Sequence, residues 1–271
     1  MIGGGTAQTI VTLRTTPIRA TVQIVGYDQA PDPALAIASD GNVERTALAP
    51  GTTLSFALKD RRCAGRIEDG DHVSCDRTDA PWCAAHTRTW ICARCRGDCR
   101  LETADCVVPH AVYLALFAPD IVKVGVTKRW RVERRLLEQG ADRGAVVYPA
   151  ANGRMARRIE RSLGRQFPDR IRIADKIAGL RRPLEEHGCQ RTLDQYPPIT
   201  TYRLDYQLAL RSQPIPATLA QGTVRGVKGR LLVLEVDDSV YVTDLRALVG
   251  HVITTDTSGS PPLQQGLTAF E

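Results

Sequence analysis

The sequence predicts an α+β protein in which β modules near the two ends of the chain flank a cysteine-rich region and a small α/β core. Three observations predict this arrangement. Apolar and polar residues alternate in short runs over 9–59 and 198–255, seven of the eight cysteines lie between Cys63 and Cys106, and strand-like segments alternate with helix-like segments over 110–190. Hydrophobic residues make up 43% of the chain and charged residues 24%, which excludes wholesale disorder, collagen and coiled coil.

Changes of composition divide the chain into five segments. These are an N-terminal β module (1–59), a cysteine-rich zinc-binding region (60–109), an α/β core with a three-stranded sheet (110–190), a C-terminal β segment (191–253) and a flexible tail (254–271). Whether the β segments near the two ends pair into one sheet is open at this stage. No apolar run reaches the ~18–20 residues of a membrane helix, and the first residues do not resemble a secretory signal. We therefore expect a cytoplasmic protein without a membrane segment.

Alternating runs predict the strands of the two β modules. The predicted strands are 9–14, 21–27, 34–38 and 52–59 in the first module, and 223–225, 230–236 and 239–245 in the second. The glycine-flanked turn at 226–229 predicts that two strands of the second module form a hairpin. We expect little regular structure in 60–109, because this region is poor in aliphatic residues.

Longer apolar runs predict the elements of the core. These are strands at 110–117 and 121–127, a helix over about 128–139 ended by Gly140, a strand at 144–150, a helix over about 153–167, and a further helix within 174–187. Asn152 is a good N-cap for the second helix. Met155, Ile159, Leu163 and Phe167 recur at every fourth position and predict its buried face.

The cysteine spacing predicts metal binding. Without a secretory signal, thiolate ligation of a metal is a better interpretation than disulfides. The first predicted ligand set is Cys63, Cys75, Cys83 and His86, and the second is Cys92, Cys95, Cys99 and Cys106. Four thiolate or imidazole ligands suit a structural, tetrahedral zinc ion. Three alternatives are open: His72 or His110 replaces an assigned ligand, only one zinc binds, or the second set holds an iron–sulfur cluster.

Positive charge is concentrated in one block of the chain. Residues 123–182 contain 17 Lys and Arg against 6 Asp and Glu, so the block carries +11, whereas the rest of the chain carries −5. Such a block favours a polyanion, because cations gain affinity by displacing counterions from phosphates. We predict binding to DNA or RNA, without a preference between them. The predicted contacts are Lys128, Arg131, Arg134, Arg157, Arg158 and Arg161.

The core resembles the GIY-YIG endonuclease superfamily. The resemblance rests on AVY (111–113), KVG (123–125), an arginine in the following helix, and Glu160 in the later helix. A longer series of blocks behind the cysteine-rich region resembles the uncharacterised domain-of-unknown-function family numbered twenty-seven ninety-seven. Its blocks are HAVYLA (110–115), VKVGVT (122–127), LLEQGA (136–141), AxxIE (156–160), ADK (174–176) and GVKGRLLVL (226–234).

The superfamily resemblance implies roles for four residues. Tyr113 would activate or position water, and Arg135 would bind the scissile phosphate, with Arg131 and Arg134 as alternatives within one turn. Glu160 would hold one Mg²⁺ or Mn²⁺ ion, a metal that accepts oxygen ligands. Gly125 matches the motif glycine.

Two positions depart from the pattern of the superfamily. Lys123 replaces the second motif tyrosine, and Gln139 stands where many of these nucleases have a histidine or tyrosine. Both changes remove a candidate proton acceptor, and two roles stay open for Lys123: lowering the pKa of a neighbouring phenol, or binding phosphate directly.

Three functional hypotheses follow. The first is a nucleic-acid-binding zinc protein that acts as a metal-dependent nuclease. The second is a non-catalytic nucleic-acid-binding platform of the same fold. The third is a zinc-stabilised adaptor whose arginine-rich helix binds an acidic protein.

Overall fold

The computed structural model describes residues 21–87, 95–99 and 104–255. The strands are β1 (Gln23–Asp28), β2 (Ala34–Ser39), β3 (Asn42–Ala47), β4 (Thr53–Arg61), β5 (Arg66–Glu68), β6 (Asp71–Val73), β7 (His110–Phe117), β8 (Ile121–Lys128), β9 (Arg143–Ala150), β10 (Thr200–Arg203), β11 (Ile215–Pro216), β12 (Ala220–Lys228), β13 (Leu231–Val236), β14 (Ser239–Asp244) and β15 (His251–Thr254). The helices are α1 (Ala104–Val107), α2 (Val132–Gln139), α3 (Gly153–Leu163), α4 (Ile173–Ala178), α5 (Glu186–Gln195) and α6 (Leu245–Leu248). The predicted strand at 9–14 and the tail beyond residue 255 lie outside these residues.

Strands from both ends of the chain form one nine-stranded sheet. Its order is β11-β14-β13-β12-β4-β15-β1-β2-β3, antiparallel except for the pair β11 and β14. Strand β4 lies between β12 and β15, so the two β segments share a core that includes Ile24, Leu35, Leu54 and Leu234. This pairing answers the question that the sequence left open.

Two differences from the predicted β modules have clear physical reasons. Strand β3 was not predicted, because its residues are polar and mostly exposed on an edge strand. The turn of the hairpin lies at Gly229 and Arg230 rather than at 226–229. Strand β12 passes through Gly226, where the register with β13 shifts by one residue, so this glycine marks a bulge instead of a turn.

The α/β core contains a four-stranded sheet in the order β10-β9-β7-β8. The predicted three-stranded sheet is therefore extended by β10, which follows the predicted boundary at residue 190. All eight residues of β7 are buried, because helices cover both faces of the sheet. Val112 and Leu114 are in the cluster that includes Ala156 of α3, whereas Ala111 is in the cluster that includes Leu136 of α2.

Both helices of the core begin and end at recognisable signals. Helix α2 is preceded by a 3₁₀ turn over Arg129–Arg131 and ends at Gly140, whose φ of 74° suits a residue without a side chain. Asn152 caps α3 by accepting a hydrogen bond of 2.9 Å from the amide of Met155, as predicted. Two further helices, α4 and α5, cover the region in which one was predicted.

The predicted buried face of α3 is wrong at its first position, and α3 ends at Leu163 rather than near 167. Met155 is 48% exposed, and Ala156 is buried in its place. A stripe of every fourth residue rotates around a helix of 3.6 residues per turn, so its first member turns away from the sheet. The buried side therefore follows Ala156, Ile159 and Leu163.

The two sheets are connected at the end of α2. Lys228 Nζ of β12 lies 2.5 Å from Asp142 Oδ1, and the Tyr206 hydroxyl donates a hydrogen bond of 2.9 Å to the carbonyl of Ala141. These contacts hold the C-terminal half of the large sheet against the α/β core. Among the described residues, no helix is both long enough and apolar enough to cross a membrane.

Candidate metal centre and basic cleft

The first predicted ligand set forms a compact cluster. The Sγ atoms of Cys63, Cys75 and Cys83 and a ring nitrogen of His86 all lie within 4.8 Å of one another. The Nδ1 atom of His86 lies 3.3 Å from the sulfurs of both Cys63 and Cys83. A tetrahedral zinc ion with its usual bond lengths separates sulfur from nitrogen by about 3.5 Å. The cluster therefore fits zinc in both its donor atoms and its dimensions.

Backbone amides support the sulfur atoms. The Sγ of Cys63 accepts hydrogen bonds from the amides of Gly65 at 3.4 Å and Cys83 at 3.3 Å. Burial raises the pKa of the Cys63 thiol. Burial also acts to raise the pKa of Cys83, but its hydrogen bonds, of which that with Cys63 is the largest, outweigh burial and lower this pKa to about 7. One thiol of the cluster is thus readily available as a thiolate, the form that binds metal.

The metal centre is attached to the large sheet through Cys63, which follows β4. The carbonyl of Cys63 accepts a hydrogen bond of 3.3 Å from Nε2 of Gln23, a buried residue of β1. The same nitrogen donates to the carbonyl of Gly250 at 2.9 Å, next to β15. Three strands therefore converge on one ligand. His72, the alternative ligand, has its Nε2 within 2.9 Å of the carbonyl of Ala64 and is not part of the cluster.

The second ligand set is described in part, because Cys92 lies outside the described residues. The sulfurs of Cys95 and Cys99 are 3.6 Å apart, close to the separation of about 3.8 Å that two thiolates have on one zinc ion. This cysteine loop lies on α3, where Arg158 Nε donates to the carbonyl of Gly97 at 3.0 Å. Arg161, on the same helix, forms an ion pair of 2.8 Å with Asp98 of the loop.

A cavity of about 460 Å³, which we name the basic cleft, lies beside this loop. Its lining residues are Cys95, Asp105, Cys106, His110, Val126, Thr127, Lys128, Arg131, Arg135, Gly153 and Arg157. They come from the start of β7, the end of β8, the 3₁₀ turn before α2, α2 itself, the start of α3 and the cysteine-rich region. The cleft therefore brings four cations together with two residues of the second cysteine set.

One carboxylate accepts hydrogen bonds from three arginines at the cleft. Glu138 accepts from Arg131 at 3.2 Å, from Arg134 at 3.3 Å and from Arg135 at 3.0 Å. This group of three arginines and one glutamate carries a net charge of +2. Lys128 is instead neutralised by Asp105, at 2.5 Å. The start of α2 is therefore the part of the cleft with excess positive charge.

Tyr113 lies close to the cleft but is buried. Its ring lies across Gly125 of the neighbouring strand, so closely that a Cβ atom on Gly125 would be 2.5 Å from Cζ and from the hydroxyl of Tyr113. The hydroxyl accepts a hydrogen bond of 2.5 Å from Nε2 of Gln139, and the residue is 1% exposed. Burial raises the pKa of the phenol, while Arg135 acts against it. The phenol is therefore protonated at neutral pH.

Electrostatic interactions connect Glu160 with the phenol of Tyr113 and Arg135 with the amine of Lys123. Glu160 is paired with Arg157, whose Nη1 donates to its carboxylate at 2.7 Å. Burial, with Arg135 acting in the same direction, lowers the pKa of Lys123 to about 8, and Glu160 opposes this shift. A divalent cation at Glu160 would compete with the guanidinium of Arg157 for the carboxylate.

The predicted site residues thus separate into groups. Four of them line the cleft: Arg135, Lys128, Arg131 and Arg157. Three others are not among the described residues that line it: Tyr113, Lys123 and Glu160. Arg158 and Arg161 hold the cysteine loop, and Arg134 flanks the cleft through Glu138.

Sequence reasoning gave three residues of this region too little weight. His110 lines the cleft, with its Nδ1 held by the carbonyl of Val108 at 2.7 Å. Asp105 lines it opposite Lys128. Trp130 is exposed in the 3₁₀ turn before α2, and its only sequence signal is its position between two arginines.

The fold and the two sites define a mixed α+β protein with a Cys₃His cluster that can hold a zinc ion. The model of the family described as protein of unknown function (DUF2797) matches residues 73–253, well over half of the chain, and the chain belongs to this family. This confirms the family that the sequence blocks predict, while the resemblance to GIY-YIG nucleases stays a prediction. No curated protein and no solved structure shows significant similarity to the chain.

Proposed function

We propose that the protein binds nucleic acid through the basic cleft and that zinc stabilises the adjoining region. The observation that carries this proposal is the sharing of Glu138 by Arg131, Arg134 and Arg135, which leaves excess positive charge at a cavity of about 460 Å³. Guanidinium groups bind phosphate oxygens in pairs of hydrogen bonds, and a cavity of this size accepts a nucleotide-sized group.

A polyanion fits the surroundings of the cleft better than a small acid does. The block 123–182 carries +11, and its cations extend beyond the cleft along α2 and α3. A ligand with several phosphates in a row binds more tightly for each such cation that it contacts, because counterions are released. A ligand with a single carboxylate or phosphate contacts only the cations of the cleft.

The architecture we propose for the core is that of the GIY-YIG superfamily. Three observations support it: the hairpin of β7 and β8 is followed by α2, β9 and α3, Tyr113 lies across Gly125, and Arg135 interacts with the Tyr113 phenol. Structural zinc at the Cys₃His cluster, and a second ion at the set that includes Cys95 and Cys99, would replace the apolar core that this region lacks.

The test of binding is a comparison of two double variants at two salt concentrations. We expect Arg131→Ala/Arg135→Ala to lower the affinity for a labelled oligonucleotide at least about tenfold, because hydrogen bonds to charged groups are strong. We also expect the slope of log affinity against log salt to fall by about 1.4–1.8, the contribution of two phosphate contacts. The measurement is fluorescence anisotropy in about 50 and 200 mM NaCl.

The matched control is Arg45→Ala/Arg225→Ala, which also removes two positive charges. Both residues are exposed on the large sheet, and each forms an ion pair there. The control should keep most of the affinity. Equal losses in the two double variants would mean that general charge, and not the cleft, binds the nucleic acid.

A second candidate function is metal-dependent hydrolysis of a phosphodiester. It is favoured by the electrostatic contact of Arg135 and Glu160 with one phenol, that of Tyr113. In this mechanism Arg135 would bind the phosphate, and Glu160 would hold Mg²⁺ or Mn²⁺ after leaving Arg157.

Catalysis is tested by incubating DNA and RNA with the protein in Mg²⁺ or Mn²⁺. If hydrolysis occurs at this site, Glu160→Gln should lower the rate by at least about 100-fold while leaving binding, measured without added Mg²⁺ or Mn²⁺, within a few-fold of wild type. Cleavage at equal rates by both proteins would remove Glu160 from the mechanism. If the wild-type protein binds nucleic acid but does not cleave it, the hydrolysis proposal fails and only the binding function remains.

A further inference from the structure

We propose that Trp130 is a stacking platform for an unpaired base and that the ligand of the cleft is therefore single-stranded nucleic acid or an unpaired nucleotide. This inference rests on the proposed binding function and adds the class of nucleic acid. Of the large apolar side chains in the described residues, Trp130 is the most exposed, at 74%. A ring left in water forgoes the free energy that its burial would release, and a binding role accounts for its exposure.

The position of Trp130 connects it to the cleft. It lies in the 3₁₀ turn of Arg129–Arg131, directly after β8 and before α2. Its neighbours Lys128 and Arg131 both line the cleft. A nucleotide whose phosphate binds these cations would therefore have its base, or the base of the next nucleotide, beside the indole.

Lys128 and Arg131 also lie near the indole ring of Trp130. Lys128 Nζ and Arg131 Cζ are each 5.8 Å from the ring centroid of Trp130, at the outer limit of a cation–π contact. At that distance, and with 74% of the residue exposed, the indole keeps an accessible aromatic surface. An aromatic ring with flanking positive charge is the combination that binds successive bases and phosphates of a single strand.

Another tryptophan of the chain provides a contrast. Trp82 is partly buried and packs against the cluster of Val25, Ala38 and Val249, and Arg246 lies 5.7 Å from its ring. Trp82 therefore has a structural role that explains its size, whereas no such packing explains Trp130.

Single strands are favoured over duplexes for a physical reason. In a duplex, both faces of each internal base are covered by its neighbours, so stacking on a protein side chain requires the base to leave the stack. In a single strand the faces are available, and stacking adds to affinity without regard to sequence. A protein partner would also cover an exposed tryptophan, but the excess positive charge of the arginines around Glu138 favours phosphates.

The experiment measures the affinity for an oligonucleotide of about 12 nucleotides, single-stranded and as a duplex of the same sequence. We expect wild type to bind the single strand more tightly. Trp130→Ala should weaken single-strand binding by roughly 5- to 100-fold, whereas Trp130→Phe should keep most of it. The salt slope should not change in either variant, because no charge is removed. Trp82→Phe is the control and should bind like wild type.

The outcomes separate this inference from the proposed function. If Trp130→Ala binds the single strand within twofold of wild type, or if wild type prefers the duplex, the stacking platform is wrong. If in that case Arg131→Ala/Arg135→Ala still weakens binding, the cleft remains the binding site. If neither set of variants changes the affinity, the proposed function fails as well. Quenching of tryptophan fluorescence on binding, lost in Trp130→Phe and retained in Trp82→Phe, is the independent readout.

Discussion

Removal of the metal from the Cys₃His cluster is expected to lower the free energy of unfolding by at least ~3 kcal/mol and the melting temperature by roughly 6–12 °C. The reason is that the segment from 62 to 87 contains few buried apolar residues, so a metal bound to the cluster would supply most of its stability. Cys63, Ala64 and Cys83 are its described apolar residues that are almost fully buried. The melting temperature is measured by calorimetry before and after treatment with a chelator.

The effect should reach the large sheet, and not the cysteine-rich region alone. Gln23 of β1 donates to the carbonyls of Cys63 and Gly250, and the amide of Arg62 donates to the same carbonyl of Gly250 at 2.9 Å. If Cys63 moves, these buried hydrogen bonds are lost, and each unsatisfied group costs about 1–3 kcal/mol. Hydrogen exchange of β1, β4 and β15 should therefore accelerate on metal removal.

The matched variants are Cys75→Ser and Cys189→Ala. Cys75 is only partly buried, so its substitution reports the loss of a ligand more than a loss of packing. Cys189 is buried in the core of the α/β domain and is not part of the cluster. Zinc content should fall in Cys75→Ser and stay unchanged in Cys189→Ala. Full zinc content and an unchanged melting temperature in Cys75→Ser would contradict the assignment of the cluster.

The sequence predicted the first ligand set because metal ligation is a local property of spacing. Cys83 and His86 are separated by one turn of chain, and any fold that brings Cys63 and Cys75 nearby completes the site. Strand β7 was equally predictable, since the seven consecutive apolar residues at 111–117 leave no polar face. These features need no knowledge of distant contacts.

The remaining features depend on contacts between distant parts of the chain. The pairing of β4 with β12 joins residues more than 160 positions apart, and no local pattern specifies such a pair. Glu160 pairs with Arg157, and Glu138 pairs with three arginines. A count of charges in the sequence does not predict which acid pairs with which arginine, because this depends on the positions of the side chains. Trp130 was expected inside a helix, but the 3₁₀ turn at that point turns it to solvent.

Gly125→Ala is expected to destabilise the α/β core by ~2–4 kcal/mol. The added Cβ would lie 2.5 Å from two atoms of Tyr113, closer than any carbon contact allows. The tyrosine has little room to move, because it is 1% exposed and belongs to the cluster of Val132 and Leu136. The free energy of unfolding in urea measures the effect. A loss below about 0.5 kcal/mol would mean that the tyrosine ring shifts without cost.

A double-mutant cycle with Tyr113→Leu identifies the cause. The smaller, flexible leucine leaves room for the new methyl group, so Gly125→Ala should cost ~1–3 kcal/mol less in its presence than in wild type. Additive effects would show that the backbone at position 125, and not the contact with the Tyr113 ring, requires glycine. Tyr113→Phe, combined with the same measurements, removes only the hydroxyl, which Gln139 and Arg135 both contact. Because that hydroxyl is buried and Arg135 keeps its ion pair with Glu138, nucleic-acid affinity should change little, and any loss of cleavage without loss of affinity would assign the phenol to chemistry instead of packing.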